Sequence, residues 1–286
     1  MTKTRGEHVG DRVLVLGAGG VVGISWQVGV LAGLASVGVD LADADVVVGT
    51  SAGATVAAQI TARSAAELYS AEVLGTGNRE PVIDVNLSEV LGTIQDLIEA
   101  TPDPVLARRR IGSLALESDR VPESHRMSII ESRLHTEAWP ETDLRITAIR
   151  ADTGELAVFD RASGVDLSRA VAASCAIPMV WPATTIGDAR YYDAGVRSGT
   201  NLDVVGSYRR LVVLEVLPLP EMMDVRTTVD DENRMVIRAD GTARRVIEHN
   251  MLDPNARAVV AELGFAQGVD AAGELMHFWR GTPQAG

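Results

Sequence analysis

The N-terminal part of the chain alternates short apolar strands with helices, and this order restricts the fold more than any other feature. Aliphatic runs predict strands over residues 12–16 and 45–48, while apolar residues at helical spacing predict helices over 24–36 and 52–64. Strands joined through helices run parallel, because the crossover returns the chain to the same end of the sheet. We therefore expect an α/β fold of three layers, with a mostly parallel central sheet and helices on both faces.

Helical patterns then replace strands before strands return. Residues 65–140 are interpreted as a helical insertion or cap, and apolar spacing is clearest over 87–100. Strands are predicted again over 144–150 and 156–159, and the strongest apolar run of the C-terminal half covers 210–216. These later strands are expected to complete the sheet that the N-terminal part begins.

The domain organisation follows from these patterns. We predict one domain over residues 12–220, followed by a helical extension over 221–286 that packs on the same domain. Within the extension, residues 221–245 are charged and are predicted to be irregular. Two helices are expected after them, over 253–267 and 270–279.

Charge and cysteine content restrict the class of protein. The formal net charge is -13, which argues against nucleic-acid binding, because that function requires a basic surface. Cys175 is the single cysteine, so the chain has neither an intramolecular disulfide nor a cysteine-rich zinc site. A reducing compartment fits this count, and we expect a cytoplasmic location. The histidines lack the paired spacing of metal ligands, so no metal is expected.

An apolar run over residues 13–39 is long enough to cross a bilayer. Seven glycines interrupt it, and it divides naturally into a strand, a glycine-rich loop and a helix. A secretory signal would need a compact charged start and a small-residue cleavage site, neither of which precedes the run. We therefore expect no integral membrane span.

Residues 49–53 read Gly-Thr-Ser-Ala-Gly and join the second predicted strand to the second predicted helix. A sharp turn of this kind holds its serine in a strained, exposed conformation, and the flanking glycines leave room for the backbone to cross. The N–H groups that begin the helix favour a developing negative charge. Ser51 is therefore a candidate nucleophile, although the same pattern also fits a structural turn in which the serine only caps the helix.

A glycine-rich loop, residues 17–23, follows the first strand and offers backbone N–H groups to an anion. That anion could be the oxyanion of an acyl-transfer reaction or the pyrophosphate of a dinucleotide. The dinucleotide fingerprint Gly-x-Gly-x-x-Gly fails, because its third glycine, counted from Gly17, falls on Val22. The second strand also ends in the Ser51 turn instead of an acidic residue. Acyl transfer is favoured, and a nucleotide-binding or non-catalytic lipid-binding module is the alternative.

A catalytic serine needs a base, and two kinds of residue could provide it. His249 and His277 come late enough for the Ser-Asp-His order of α/β-hydrolases. Asp193 follows a strand-like segment and precedes small residues, so a partner can approach it closely. Burial would raise the pKa of this aspartate and make it a stronger base, although a turn aspartate is the structural alternative.

These segments together resemble the patatin-like phospholipase family. The family combines a glycine-rich loop after the first strand, here residues 17–23, with Gly-x-Ser-x-Gly after the second, here 49–53. Its third motif, Asp-Gly-Gly or Asp-Gly-Ala, corresponds to Asp-Ala-Gly at 193–195. Residues 29–31 and 173–178 agree as well, and the resemblance extends over about residues 12–215.

The resemblance implies hydrolysis of carboxylic esters, notably of acyl lipids, without a cofactor or metal. Ser51 would be the nucleophile and Asp193 the base of a Ser–Asp dyad, with an oxyanion hole from the backbone N–H groups of Gly19 and Gly20. The glycines that support the motifs are Gly17, Gly23, Gly49, Gly53 and Gly195. The partner is then a lipid or another acyl ester; the sequence leaves the head group, the acyl chain and the oligomeric state open.

Three residues depart from the family pattern. Val22 stands where the family loop usually carries Lys or Arg just before its last glycine, so a positive charge that could assist the oxyanion is missing. Ala18 replaces the first glycine of the loop, and Ala194 replaces the middle glycine after the aspartate. An alanine at either position requires an ordinary backbone conformation.

Overall fold

The structure is a computed structural model, and it describes residues 10–76, 80–83, 85–118, 120–134, 136, 138–218, 222, 225 and 231–280. The strands of these residues are β1 (Gly10–Leu16), β2 (Val46–Gly49), β3 (Asp143–Arg150), β4 (Leu156–Phe159), β5 (Thr184–Ile186), β6 (Ala189–Asp193), β7 (Tyr208–Glu215) and β8 (Arg234–Arg238). The α-helices are α1 (Gly20–Ser36), α2 (Ala52–Ile60), α3 (Ala65–Leu74), α4 (Leu87–Glu99), α5 (Pro104–Leu116), α6 (Glu123–Leu134), α7 (Leu167–Ser174), α8 (Gly241–Asn250) and α9 (Arg257–Arg280).

All of these strands join one sheet with the order β5-β6-β3-β2-β1-β7-β8, and β4 pairs with β3 outside this path. Pairing is parallel from β3 through β2, β1 and β7 to β8. It is antiparallel where β4 and β6 meet β3 and where β5 meets β6. The predicted α/β class with a mostly parallel sheet is confirmed, and the antiparallel pairs are confined to one end.

The sheet is buried on both faces, which explains why its central strands are apolar throughout. On one face, Leu14 and Leu16 of β1 enter a large core that α1, α2, α7 and α9 cover. On the other face, Val13 and Val15 pack against a short 3₁₀ turn at Leu202–Val204, while α5 covers β3 and β6. Helices therefore lie on both faces, with the thicker layer on the side of α1.

Helices α1 and α9 cross at very short range, and glycine makes this crossing feasible. A Cβ atom added to Gly29 would lie 2.2 Å from the carbonyl oxygen of Ala261, and one added to Gly264 would lie 2.4 Å from that of Trp26. Glycine in a helix interior normally costs stability. Here the close packing offsets that cost, and α9 runs unbroken through a region where two helices were predicted.

The C-terminal extension adds a strand as well as helices. Residues 221–245 were predicted to be irregular, but Arg234–Arg238 form β8, which pairs in parallel with β7 at the edge of the sheet. Charged residues begin and end this strand, and Ile237 is its buried position, so the apolar signal is weak. Among the helices of the described ranges, none has the length and apolar character needed to cross a membrane.

Candidate active site

The sheet brings the Ser51 turn and Asp193 together along one edge of β3. Gly49, the last residue of β2, pairs with Ile146 of β3. Asp193, the last residue of the antiparallel β6, pairs with Ala148 two positions further on. Because β4 occupies the opposite edge of β3, β2 and β6 share the same edge and point their C-terminal ends at each other. Ser51, which follows β2, and Asp193 therefore contact the same cavity.

The turn at 49–53 has the tight geometry predicted for it. Ser51 adopts φ 54° and ψ -117°, a left-handed conformation that a non-glycine residue enters only at a cost. A Cβ atom on Gly53 would lie 1.9 Å from the carbonyl oxygen of Leu16, and one on Gly49 would lie 2.6 Å from Cα of Ala54. Both glycines are therefore required for the backbone to cross this closely.

Buried partners at the C-terminal end of α7 hold the backbone of Ser51. The N–H of Ser51 donates a hydrogen bond to Oγ of Ser174 over 2.8 Å, and Sγ of Cys175 donates to the carbonyl oxygen of Ser51 over 3.2 Å. Burial raises the pKa of the Cys175 thiol to about 11, so the sulfur is a neutral donor at physiological pH and not a nucleophile. These contacts fix the strained turn.

The glycine-rich loop leads into α1 earlier than predicted, because the helix begins at Gly20. The N–H of Ala18 donates to the carbonyl oxygen of Gly199 over 2.8 Å, whereas the N–H groups of Gly19 and Gly20 have no acceptor among the described residues. Gly20 has φ +66°, and a Cβ atom there would lie 2.5 Å from the carbonyl oxygen of Met251. Two free donors at a helix N-terminus thus line the cavity beside Ser51.

Further bonds tie the loop to the serine turn. The carbonyl oxygen of Gly17 accepts from the N–H of Gly53 over 3.1 Å and from Nε2 of Gln27 over 2.9 Å. The N–H of Gly23 donates to the carbonyl oxygen of Gly19 over 3.1 Å and closes the first turn of α1. Motif spacing did not identify Gln27; the available signal was a glutamine inside a mostly apolar helix.

Asp193 is a buried carboxylate with a perturbed pKa. Its side chain is shielded by the surrounding protein, and Oδ1 accepts from the N–H of Gly195 over 2.7 Å. Burial raises its pKa from an ordinary value of 3.8 to about 7. Hydrogen bonding from the Ser51 hydroxyl and the Gly195 N–H, and then the charge of Arg126, act in the opposite direction. The carboxyl group therefore titrates near neutral pH, where a base must work.

A cavity of about 440 Å³ opens beside both side chains. Gly19, Gly20, Ser51 and Asp193 form its polar end. Its apolar wall comes largely from one face of α4, namely Leu87, Leu91, Ile94 and Ile98. Leu217 also contacts the cavity. Because the wall is almost entirely aliphatic, the cavity suits a hydrocarbon chain more than a polar group.

A second, smaller cavity of about 20 Å³ touches Ser51 and Gly20 from another side. Arg126 of α6, the buried carboxylate of Glu80 and the ring of Trp181 contribute to its lining. Sequence patterns do not indicate these three residues, because none of them belongs to a motif: Glu80 and Arg126 lie in the helical region, and Trp181 lies between α7 and β5. Only the tertiary packing of these three separate segments brings them to the serine.

The two histidines considered as bases lie elsewhere. His249 is exposed on α8, and its Nδ1 is 2.8 Å from the carbonyl oxygen of Arg245. His277 is exposed near the end of α9. Neither lines either cavity at Ser51 in the described part of the chain. Asp193 is thus the titratable group that shares the larger cavity with the serine.

The chain is similar to known proteins in sequence and in structure. The family described as Patatin-like phospholipase matches residues 14–205, and no curated protein matches the chain. Among solved structures, VipD from Legionella pneumophila has 12% identity and a TM-score of 0.46, with 92% of this chain and 67% of that chain covered. The type III effector protein ExoU has 18% identity and a TM-score of 0.42, with 92% and 53% covered, so this chain spans about half of its length.

The family match includes the glycine-rich loop, the serine turn and the Asp193 turn, and it covers more than half of the chain. The chain therefore belongs to the patatin-like phospholipase family and is an enzyme of the esterase and phospholipase class.

Proposed function

We propose that the protein hydrolyses carboxylic esters of acyl lipids through a Ser51–Asp193 dyad. The observation that carries the proposal is the convergence of three groups on one aliphatic cavity. These are a serine on a strained turn, a buried carboxyl group with a pKa of about 7, and the free N–H groups of Gly19 and Gly20.

In the acylation step, Oγ of Ser51 attacks the ester carbonyl carbon while Asp193 accepts the hydroxyl proton. The carbonyl oxygen becomes an oxyanion, which the N–H groups of Gly19 and Gly20 stabilise at the N-terminus of α1. Collapse of this intermediate breaks the bond to the alcohol oxygen, and the alcohol leaves with the proton from Asp193. The acyl group is then bound to Ser51 as an ester.

Deacylation repeats the same chemistry with water. Asp193 accepts a proton from the attacking water, a second oxyanion forms at the same N–H groups, and the bond to Oγ of Ser51 breaks. Ser51 recovers the proton, and the fatty acid leaves. A carboxylate with a pKa of about 7 fits this role, because a base is most effective when its pKa lies near the operating pH.

The cavity supports an acyl lipid as the substrate. Its volume of about 440 Å³ and its aliphatic wall from α4 fit a hydrocarbon chain, with the ester group placed at the polar end beside Ser51. Phospholipids and neutral acyl esters share this chemistry. The domain division at residue 220 and the cytoplasmic location stay predictions of the sequence.

The test compares hydrolysis of p-nitrophenyl esters by the wild type, Ser51→Ala and Asp193→Asn. We expect both variants to lose nearly all turnover and expect the wild type to be labelled by a fluorophosphonate at Ser51. His249→Ala and His277→Ala are the matched controls and should retain activity, because their side chains are exposed away from the cavity. Equal loss in either histidine variant would instead favour a Ser-Asp-His triad.

Two further measurements address the substrate and the alternative class. A panel of acyl lipids with different head groups and chain lengths identifies the preferred ester. Absence of labelling at Ser51 would reject the hydrolase proposal. Titration with NAD(P) by calorimetry then tests whether the loop at 17–23 binds a dinucleotide pyrophosphate instead.

A further inference from the structure

The glycine-rich loop lacks its basic residue, and the position of Val22 explains why the loop cannot deliver a charge there. The Val22 side chain is fully buried and belongs to the large hydrophobic core. A cation placed at this position without a partner would be strongly destabilising. Any positive charge near the oxyanion must therefore come from another segment.

Arg126 of α6 brings a positive charge to the site. The residue is 4% exposed and lines the small cavity that also touches Ser51 and Gly20. Its guanidinium carbon lies over the ring of Trp181, 3.8 Å from the ring centroid, so a cation–π contact holds the group in place. The position is therefore built by packing and is not a chance orientation of a surface arginine.

The charges of this cluster do not cancel. Glu80 accepts from Nη1 of Arg126 over 2.8 Å and from Nη2 of Arg133 over 2.6 Å. Both arginines and this single carboxylate line the cavity, so its described lining has one positive charge in excess. Nε of Arg126 is buried and has no hydrogen-bond partner in the described residues. A buried excess cation with a free donor is poised to interact with an anion.

We propose that Arg126 supplies, from the helical region, the positive charge that the loop at 17–23 lacks at Val22, and that this charge stabilises the anionic states of the Ser51 reaction. The proposal rests on the proposed hydrolase function and adds a residue to it. Arg126 acts through its charge, without a role as nucleophile or base. Glu80 and Trp181 hold its guanidinium group in position.

The same charge acts on Asp193. It lowers the pKa of Asp193 and also that of the neighbouring Cys175 thiol, in both cases against the effect of burial. The other titratable groups around these side chains are Glu80, Arg133 and Tyr192. Removing the charge at 126 should therefore raise the pKa of Asp193. On acidification, activity should then be lost at a higher pH than in the wild type, because the base is protonated sooner.

The experiment measures kcat and KM for a neutral p-nitrophenyl ester across pH 5–9 in Arg126→Gln, Arg126→Lys and Arg133→Gln. We expect Arg126→Gln to lower kcat by about 100-fold, as loss of one oxyanion-stabilising donor does, with KM changed by less than about 2-fold. The acid limb of its kcat–pH profile, where activity falls as the base becomes protonated, should move to higher pH. Arg126→Lys should retain most of kcat, because the charge is kept.

Arg133→Gln is the matched control, because it removes an arginine from the same helix and the same carboxylate. This variant cancels the excess charge of the lining but leaves the Arg126 guanidinium in place beside Ser51. It should therefore change kcat and the acid limb less than Arg126→Gln, since the charge of Arg133 is not among those that act on Asp193. Glu80→Gln provides an independent variant that keeps both arginines. It should move the acid limb to lower pH, because the counter-charge of Arg126 is removed.

Thermal unfolding of each variant establishes that it is folded. A folded Arg126→Gln variant with wild-type kcat and an unmoved acid limb would overturn the proposal. Equal effects of Arg126→Gln and Arg133→Gln would overturn it too, as would a shift to higher pH in Glu80→Gln. Failure of the wild type to hydrolyse esters or to react with a fluorophosphonate would instead reject the hydrolase function itself.

Discussion

Replacing Asp193 by Asn should abolish ester hydrolysis and at the same time stabilise the fold at alkaline pH. The asparagine keeps an oxygen that can accept from the Gly195 N–H, now 2.7 Å from Oδ1, and it keeps the volume of the side chain. It removes the ionisable group. Loss of the base should lower kcat by at least about 100-fold, the lower range for general base catalysis.

The stabilisation follows from the raised pKa of Asp193. Burial moves this pKa from 3.8 in the unfolded chain to about 7 in the folded protein, so folding favours the protonated form. The favourable contribution is complete below pH 3.8 and is lost as the pH rises through about 7. Relative to a side chain that does not titrate, the raised pKa of Asp193 lowers the free energy of unfolding by about 4 kcal/mol at pH 8 and by about 2 kcal/mol at pH 5. The asparagine carries neither cost.

Thermal unfolding of the wild type and Asp193→Asn at pH 5 and pH 8 measures this difference. With about 2 °C of melting temperature per kcal/mol in a large domain, the variant should gain about 8 °C at pH 8 and about half of that at pH 5. Asp188→Asn is the matched control, because Asp188 is an exposed carboxylate on the adjoining turn. A lower melting temperature of Asp193→Asn at pH 8, or a gain independent of pH, would refute the reasoning.

Three further substitutions test the packing around the site. Gly53→Ala should destabilise the fold by about 3 kcal/mol or more and inactivate the enzyme, because its Cβ would lie 1.9 Å from the carbonyl oxygen of Leu16; chemical unfolding and an ester assay measure both effects. Gly264→Ala should lower the melting temperature by separating α9 from α1, since its Cβ would lie 2.4 Å from the carbonyl oxygen of Trp26. Ile94→Trp should fill the larger cavity and shift the preference of kcat/KM from long to short p-nitrophenyl esters.

Each of these substitutions has its own control. Gly75→Ala and Gly92→Ala test the general cost of replacing glycine, because an added Cβ meets no neighbour at either position. Gly75 has φ +65°, so Gly75→Ala measures the cost of placing a side chain on a left-handed backbone. Gly92 lies within α4, so Gly92→Ala measures the effect of replacing a helical glycine. Stability of Gly53→Ala or Gly264→Ala equal to that of Gly92→Ala would contradict the close contacts. If Ile94→Trp left the chain-length preference unchanged, the cavity would not be the site that binds the acyl chain.

Local sequence patterns were sufficient for the elements that present the serine and the loop. The strand, glycine-rich loop, helix, strand and serine turn follow one another within a short stretch, so each is determined by apolar periodicity and by glycine. The tight crossing at Gly53 lies where the glycine pattern placed it, and the free donors at Gly19 and Gly20 lie in the loop where the family resemblance implied them. The roles of Ser51 and Asp193 in catalysis stay predictions that the kinetic variants test.

The tertiary structure decided which distant groups meet the serine. Asp193 reaches the site because β6 enters antiparallel on the same edge of β3 as β2, a pairing that depends on contacts between residues far apart in sequence. Arg126 and the apolar face of α4 reach it because the helices of the insertion pack back onto the sheet. An amphipathic pattern gives the apolar face of a helix, but it does not say whether that face meets a core or a cavity. The sequence alone therefore determined the turn that holds Ser51, and the packing of the insertion decided the charge and the wall around it.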